Sequence, residues 1–262
     1  MLSSSSALLA AGLDKQKRDH GLKLGLTTYT LRKFSLDQAI AMTREAELGY
    51  ISLKDMHLPL TSTRAERKET AKRVKVAGLT LMGGGVISMK NDEQQIRDAF
   101  QYAKDAGMPT IICSPDPAAL DLVERLAREF DVRIAIHNHG PGDKLFPSPL
   151  DALRATKDRH PLMGICMDVG HTVRNREDPV AAIQQCAPRL YDFHMKDVTA
   201  VAGNEEPIEV GKGAIDIPAV LKALLRINYS FHVALEYEAH ADDPMPGVKG
   251  SIAYIRGQLA KM

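Results

Sequence analysis

Residues 110–137 read TIICSPDPAALDLVERLAREFDVRIAIH: a short β-branched run, a longer amphipathic segment and a second short run. The two outer runs, Thr110–Cys113 and Arg133–Ile136, have the length and the isoleucine content of buried strands. Between them, Ala118–Phe130 carries apolar residues at helical spacing. The stretch therefore predicts a strand–helix–strand unit, whose two strands run parallel because a helix crosses between them.

The same alternation continues on both sides of this unit. Eight short apolar runs alternate with eight helix-like segments over about 240 residues, close to the roughly 30 residues of one βαβ step. The other predicted strands are Leu24–Thr30, Tyr50–Leu53, Leu79–Met82, Met163–Met167, Leu190–Phe193 and His232–Leu235. The other predicted helices are Ser35–Leu48, Arg64–Ala77, Asp92–Ala106, Pro149–Asp158, Pro179–Cys186, Ile217–Ile227 and Val248–Lys261. Eight units in this length predict an α/β protein with a single closed (β/α)8 barrel, the TIM-barrel fold.

A doubly wound open sheet is the alternative fold for alternating strands and helices. That fold carries G-x-G-x-x-G after its first strand, and no such motif follows Leu24–Thr30. The three glycines Gly83–Gly85 follow the third predicted strand and are interpreted as a tight turn. Because no linker interrupts the composition, residues 21–262 are predicted to form one barrel domain.

The first twenty residues stand apart from this pattern. They begin MLSSSSALLAAGL and continue into the charged run DKQKRDH, without the basic start of a secretory signal. We interpret residues 1–20 as a flexible terminus or as the remnant of an export signal. The first interpretation places the protein in the cytoplasm and the second in the periplasm, so the compartment stays open.

Composition narrows the class of partner. The chain has 34 Lys and Arg against 33 Asp and Glu, so no positive electrostatic field that would attract a nucleic acid is expected. It has no Trp, so a row of aromatic rings that would stack on nucleic-acid bases is not expected either. Three cysteines in 262 residues do not make a disulfide framework. No apolar run approaches the roughly 20 residues that span a bilayer. We expect an enzyme acting on a small molecule, with no membrane partner; a homo-oligomer is compatible with the sequence.

Polar side chains end four consecutive predicted strands. They are His137 in AIHNHG, Asp168 in CMDVGHT, His194 in FHMKD and Glu236 in VALEYE. In a barrel these strand ends meet at one mouth, and unpaired polar groups that converge there are costly. Mixed nitrogen and oxygen donors suit Mn²⁺, Zn²⁺, Co²⁺ or Fe²⁺ better than Ca²⁺. The four residues are therefore predicted to bind one divalent metal ion.

These four stretches resemble the xylose isomerase-like TIM-barrel superfamily, commonly labelled sugar phosphate isomerase/epimerase, from about Leu22 to the C-terminus. The resemblance implies one divalent ion, most often Mn²⁺, on the four residues just named. It also implies that His171 of D-x-x-H and Lys196 of H-x-K-D contact a carbohydrate substrate. Val210–Asp216 is similar to a G-x-G-x-x-D loop of the family and is interpreted as loop architecture. No Arg cluster marks a phosphate pocket, which favours an unphosphorylated sugar.

One position departs from the family. Strand five usually ends E-N-H, and here it reads His137-Asn138-His139. In the family's ketose 3-epimerases, that Glu and the Glu of strand eight bind the metal and exchange protons on opposite faces of one carbon. An imidazole still binds metal, but it weakens the case for two carboxylate bases.

The resemblance therefore implies a sugar isomerase-like enzyme that abstracts a proton next to a carbonyl through a metal-bound enediolate. His139 or Glu236 would be the base, and His171 would donate a proton or orient the substrate. The alternative is a lyase or hydratase that eliminates or adds a β-oxygen group on a 3-keto-glycoside or another keto-sugar.

Weaker candidates follow other strands. Lys54 and His57, in SLKDMHLPL, are predicted to contact substrate, and Tyr29 to line the pocket or pack. Cys113 and Cys166 are expected to be buried. The base-repair endonucleases of the same superfamily hold three zinc ions and use extra histidines after strands three and seven. This chain has GGGVIS and KDVTA at those places, so it is not expected to be such an endonuclease. The carboxylates and imidazoles at strands six to eight argue against a metal-free binding barrel.

Overall fold

The computed structural model describes residues 19–201 and 205–262. In these ranges, parallel strands close into a barrel in the order β1-β10-β7-β6-β5-β4-β3-β2. The barrel strands are β1 (Lys23–Thr27), β2 (Tyr50–Leu53), β3 (Thr80–Met89), β4 (Thr110–Pro115), β5 (Arg133–His137), β6 (Met163–Asp168), β7 (Leu190–Met195) and β10 (His232–Leu235). Two short strands, β8 (Asp197–Val198) and β9 (Pro207–Ile208), pair antiparallel outside the barrel. The predicted (β/α)8 fold is confirmed.

Helices connect the strands, and local signals set several of their ends. They are Leu36–Glu45, Arg64–Val76, Glu93–Ala106, Leu120–Phe130, Pro149–Thr156, Val169–Arg174, Pro179–Cys186, Ile217–Arg226 and Met245–Leu259. The Ser35 hydroxyl accepts from the backbone N–H of Gln38, and the Gln38 side chain accepts from that of Ser35. Gly107 ends its helix in the left-handed conformation, which glycine adopts without strain. Because the residues that form such caps can be recognised in the sequence, most helices lie close to their predicted positions.

The predicted C-terminal ends of β1 and β3 differ most from the structure, while β4 to β7 end one or two residues later than predicted. β1 ends at Thr27, because Thr28–Leu31 forms a 3-10 turn. β3 continues to Met89, so Gly83–Gly85 lie inside a strand, and the predicted tight turn is wrong. The reason is close contact with β4: a Cβ on Gly83 would lie 2.7 Å from the carbonyl oxygen of Thr110. The β3–β4 register shifts between Gly84 and Ile87, so the glycines belong to a bulged strand.

Gly85 is the glycine in this strand whose replacement should cost most. Its φ is +136°, and an added Cβ would overlap the backbone carbonyl of Ile112. We expect Gly85→Ala to lower the free energy of unfolding by about 2–5 kcal/mol, measured by urea denaturation. Gly250→Ala is the control, because that helical glycine has open space at its Cβ position. Equal midpoints for the two variants would contradict this account of β3.

The two ends of the described chain lie against each other. Asp19 is buried and accepts a hydrogen bond from Nε of Arg256 at 2.9 Å. Met1–Arg18 lie outside the described residues, so the flexible-terminus or export-signal interpretation stays a prediction. Among the described helices, none is both long and apolar enough to cross a membrane. Cys113 and Cys166 are buried, as expected.

Candidate active site

The four predicted metal ligands converge at the C-terminal mouth of the barrel. His137, Asp168 and His194 lie at the ends of β5, β6 and β7, and Glu236 directly follows β10. Nε2 of His137 lies 3.0 Å from Nδ1 of His194 and 3.6 Å from Oδ2 of Asp168. Nδ1 of His194 is 3.2 Å from Oε2 of Glu236. All four side chains are buried, and their ligand atoms lie within 4.8 Å of one another.

This donor set fits a divalent metal ion. Donors bonded to one ion at about 2.1 Å stand roughly 3–3.5 Å apart, close to the separations found here. Oδ2 of Asp168 is buried among these donor atoms, and its charged partner in the described structure is the Lys196 ammonium at 3.0 Å, so this oxygen already lies in a position that attracts a cation. Burial holds the pKa of His137 well below its ordinary value, so the ring is neutral, as a metal ligand must be. Burial acts to lower the pKa of His194, but Glu236 and Asp192 raise it above its ordinary value, so a metal ion would compete with a proton for this ring. With both imidazoles neutral in the bound state, the two carboxylates would balance a divalent charge.

The backbone explains why Asp168 presents one free oxygen. Asp168 is the N-cap of the helix Val169–Arg174, where its Oδ1 accepts from the backbone N–H of His171 at 2.8 Å. Its own N–H donates to Oδ1 of Asn138 at 2.8 Å, and the amide of Asn138 donates back to the Asp168 carbonyl at 3.3 Å. The cap uses one carboxylate oxygen and leaves Oδ2 for the site. Neither this helix nor the role of Asn138 was anticipated from the sequence.

Lys196 lies among carboxylates beneath the cavity. Its Nζ is 3.0 Å from Oδ2 of Asp168, 2.9 Å from Oε2 of Glu236 and 2.9 Å from Oε1 of Glu238. Burial alone would lower the pKa of Lys196, but these carboxylates raise it well above its ordinary value. Burial acts to raise the pKa values of Asp168 and Glu236, but Lys196 holds both well below the usual carboxyl range. A substrate contact, as predicted, would require the ammonium to leave these partners, because Lys196 does not line the cavity.

His139 forms a dyad with a carboxylate that the sequence analysis did not include. Its Nδ1 lies 3.0 Å from Oδ2 of Asp143, four residues along the loop, and its ring lines the cavity. Burial lowers the pKa of His139 despite the opposing effect of Asp143, so the ring is neutral near pH 7. With the proton of Nδ1 donated to Asp143, Nε2 is the free acceptor. The GPGD spacing after His139 was the available signal for Asp143.

His171 stands beside this dyad. Its ring lines the same cavity, with its centroid 6.0 Å from that of His139. Nε2 of His171 is 4.0 Å from Oδ2 of Asp168. Burial lowers the pKa of His171, opposed by Asp168. Two imidazoles therefore border the space next to the candidate ligand cluster.

The structure brings Lys54 to the cavity and leaves His57 out. Nζ of Lys54 lies 3.5 Å from Oε1 of Glu236 and 5.2 Å from the centre of the Tyr29 ring, and both Lys54 and Tyr29 line the cavity. His57 instead places Nε2 3.0 Å from the carbonyl oxygen of Phe34 and is buried, away from the cavity-lining residues. The predicted substrate contact by His57 is therefore corrected: a backbone carbonyl binds this ring.

A second layer of polar groups lies beneath the ligands. Asp192, two residues before His194 on β7, has its Oδ1 3.8 Å from Nε2 of His194. Its Oδ2 is 3.6 Å from Nδ1 of His232, and all three side chains are buried. Carboxylates in this position commonly orient a metal-binding imidazole. The two-residue spacing, which places both side chains on one face of a strand, was a signal that the sequence analysis did not use.

Removal of one imidazole should test the ligand cluster. We expect His137→Ala to lower Mn²⁺ affinity by about 10- to 100-fold, because a buried donor is lost while the fold stays intact. Calorimetric titration of Mn²⁺ measures the change, with circular dichroism to check folding. The exposed His240, replaced in His240→Asn, is the control. Unchanged Mn²⁺ affinity in His137→Ala would show that this residue is not a ligand.

A closed parallel barrel with a buried nitrogen and oxygen cluster at its mouth defines a TIM-barrel protein with a candidate metal centre. Residues 40–258 match the family described as xylose isomerase-like TIM barrel. The chain belongs to this family, as its resemblance implied.

Two curated relatives each match about half of the chain. The chain is 28% identical over 141 residues to the rhizopine catabolism protein MocC of Rhizobium meliloti, covering 48% of this chain and 42% of that protein. It is 27% identical over 134 residues to the inosose dehydratase of Clostridium beijerinckii, covering 45% of each chain. The matches therefore span less than half the length of these curated relatives.

A solved structure matches over nearly the whole chain. The 3-keto-D-glucoside 4-epimerase of E. coli superposes with a TM-score of 0.69 at 17% identity, covering 90% of this chain and 99% of that one. At this identity the likeness establishes the shared fold. Sugar epimerases and a dehydratase are thus among the proteins that this chain resembles.

Proposed function

We propose that the protein is a divalent-metal-dependent carbohydrate enzyme of the sugar isomerase or epimerase type, which moves a proton at a carbon next to a sugar carbonyl. One observation carries the proposal: a neutral His139–Asp143 dyad and His171 border the same cavity as the buried cluster of His137 and Glu236. Family membership and the named sugar-processing relatives support it.

His137, Asp168, His194 and Glu236 would hold the ion. We propose Mn²⁺, with Zn²⁺, Co²⁺ and Fe²⁺ as other ions compatible with this donor set. A bound divalent ion supplies Lewis acidity, which stabilises negative charge on the sugar carbonyl oxygen as the neighbouring carbon loses its proton.

His139 is a better candidate base than Glu236. Glu236 lies within 3.5 Å of Lys54, His194 and Lys196, and its pKa is held far below the range of an effective base. His139 is neutral, oriented by Asp143, and has Nε2 free. In the proposed step, Nε2 takes the proton from carbon, and the electron pair of the C–H bond passes into the enediolate.

The fate of that proton decides the reaction. Return to the neighbouring carbon, with a proton shuttled between the two oxygens by His171, gives an aldose–ketose isomer. Delivery of a different proton to the original carbon from the opposite face, by a second group while His139 keeps the first proton, gives an epimer. Lys54, beside Tyr29 in the cavity wall, is positioned to donate a hydrogen bond to a sugar oxygen.

Elimination or hydration is the second candidate. Here the electron pair of the C–H bond expels a β-oxygen group, which takes up the proton that His139 removed, relayed through His171, and hydration is the reverse. The observation that favours it is His137, an imidazole within the ligand cluster. In the ketose 3-epimerases that the sequence resembles, this position carries a carboxylate that acts as the second base. The inosose dehydratase among the relatives supports the same reaction class.

Deuterium exchange separates these possibilities. The metal-loaded protein is incubated in D₂O with ketoses, aldoses and 3-keto-glucosides, quenched with EDTA, and analysed by proton NMR. We expect deuterium next to the carbonyl of at least one sugar, and no deuterium when EDTA is present from the start. The product spectrum distinguishes isomer, epimer and eliminated sugar. No exchange with any sugar, in protein shown to hold one metal ion, would contradict the proposal.

A further inference from the structure

The cavity at the barrel mouth has two unlike sides. The candidate metal ligands come from β5, β6, β7 and the end of β10, which are neighbours in the barrel. The segments after β2 and within β3 form the opposite side, where apolar side chains outnumber the polar side chains of Lys54, Asp55 and Ser88. We call this side the apolar compartment; its residues are Met56, Leu58, Leu60, Val86 and Ile87.

The apolar compartment exposes side chains that a folded protein usually covers. Met56 is 45% exposed and Leu60 is 40% exposed, and both line the cavity. Neighbouring exposed apolar side chains at the wall of a cavity indicate a binding surface for an apolar group. The positive φ of Gly85 and the bulge that follows it bring Val86 and Ile87 to this wall.

The space exceeds what one sugar ring needs. The cavity has a volume of about 560 Å³, and a second cavity of about 460 Å³ shares Leu60, Ile87 and Gln95 with it. At about 30 Å³ per water molecule, the first cavity alone corresponds to roughly 19 waters, against about twelve non-hydrogen atoms in a six-carbon sugar. A sugar ring beside His139 and His171 would therefore leave room for a further group.

We propose that the apolar compartment binds the apolar aglycone of a glycoside that carries a ring ketone and whose sugar ring lies at the ligand cluster. The inference rests on the proposed function, because it takes the sugar ring to lie beside His139 and His171. Hydroxyl groups of a second sugar unit would meet Asp55, Ser88 and Gln95 at the cavity wall, but those that cover Met56 and Leu60 would lose water without gaining hydrogen bonds. An alkyl or aryl group has no hydrogen bonds to water to lose, and the burial of its apolar surface is favourable.

Paired glycosides test the inference. Methyl and phenyl β-glycosides of glucose, galactose and 3-keto-glucose are titrated calorimetrically into the metal-loaded protein. We expect the phenyl member of at least one pair to bind about tenfold or more tightly than the methyl member. In Leu60→Ser and Met56→Ser that preference falls to about threefold or less, while methyl-glycoside affinity is unchanged. Val76→Ser, at a 79% exposed residue that does not line this cavity, is the control and keeps the preference.

The outcomes separate this inference from the proposed function. If no phenyl member binds more than threefold tighter than its methyl partner, the aglycone assignment is overturned, whatever the deuterium-exchange result. If the preference survives both serine substitutions, the apolar compartment is not its source and the assignment also fails. A phenyl preference abolished by these substitutions supports the assignment, even where no sugar exchanges deuterium and the proposed chemistry fails.

Discussion

Replacement of His139 by alanine is expected to slow carbon–proton exchange by about 10²- to 10⁴-fold, the contribution usual for a general base. The reason is its place in the cavity: its Nε2 is the free nitrogen of a neutral imidazole, which Asp143 holds at 3.0 Å through Nδ1. The variant should keep its fold and its metal, because the His139 side chain is about one-third exposed and lies outside the ligand cluster. Exchange is followed by NMR on the substrate found active.

Asp143→Asn is the matched variant for this prediction. An asparagine retains the shape but no longer fixes a proton on Nδ1, so we expect a smaller loss, of about tenfold, with unchanged Mn²⁺ affinity. Exchange at the wild-type rate in His139→Ala, in protein with one bound ion, would exclude His139 as the base. The role would then pass to Glu236, the other base named from the sequence.

Replacement of Lys196 by methionine should be the most destabilising change at the site. The side chain of Lys196 is buried, and its ammonium lies within 3.0 Å of carboxylate oxygens on Asp168, Glu236 and Glu238. Removing the cation leaves buried negative charges without compensation, which costs about 3–5 kcal/mol. We expect that loss in the free energy of unfolding of the metal-free protein, measured by urea denaturation at pH 7.

Added metal should reverse much of this loss. The Lys196 ammonium contacts the same Oδ2 of Asp168 and Oε2 of Glu236 that would bind an ion, so a divalent cation can replace its charge. At one hundred times its dissociation constant, a ligand stabilises the native state by about 2.7 kcal/mol. The Mn²⁺-dependent rise in Tm should therefore be larger in Lys196→Met than in the wild type. Lys249→Met, which removes an exposed pair with Glu45, should cost less than about 1 kcal/mol and show no such difference. A stable Lys196→Met protein without metal would refute the charge-balance account.

The barrel and its ligand cluster were predictable because both depend on short-range patterns. Alternation of strand-like and helix-like segments determines the topology, and His137, Asp168 and His194 each terminate an apolar run. The C-terminal ends of parallel strands necessarily meet at one mouth, so their convergence follows from the fold without any knowledge of tertiary contacts.

The remaining features depend on contacts between distant parts of the chain. His57 follows a strand in the same way as His139, yet the Phe34 carbonyl holds its ring away from the cavity. Lys196 is surrounded by carboxylates from β6 and the segment after β10, which no local pattern reveals. The sequence of Gly83–Gly85 fits a tight turn, and their close approach to β4, which excludes side chains there, is visible only in the structure. In each case, a partner remote in sequence decides the outcome.

The division of the barrel mouth also bears on how such a protein can evolve. Met56, Leu60 and Val86 have apolar side chains, so none of them serves as a ligand or a proton carrier, whereas His137 and His139 lie on the other side of the mouth. In the segments after β2 and within β3, substitutions at these apolar positions, unlike those at Lys54 or Gly85, can therefore change the cavity wall without removing a ligand, a base or a glycine that the strand requires. Duplicated copies of such a gene would diverge first in these segments, each copy keeping the inherited chemistry while it acquires a different range of compounds.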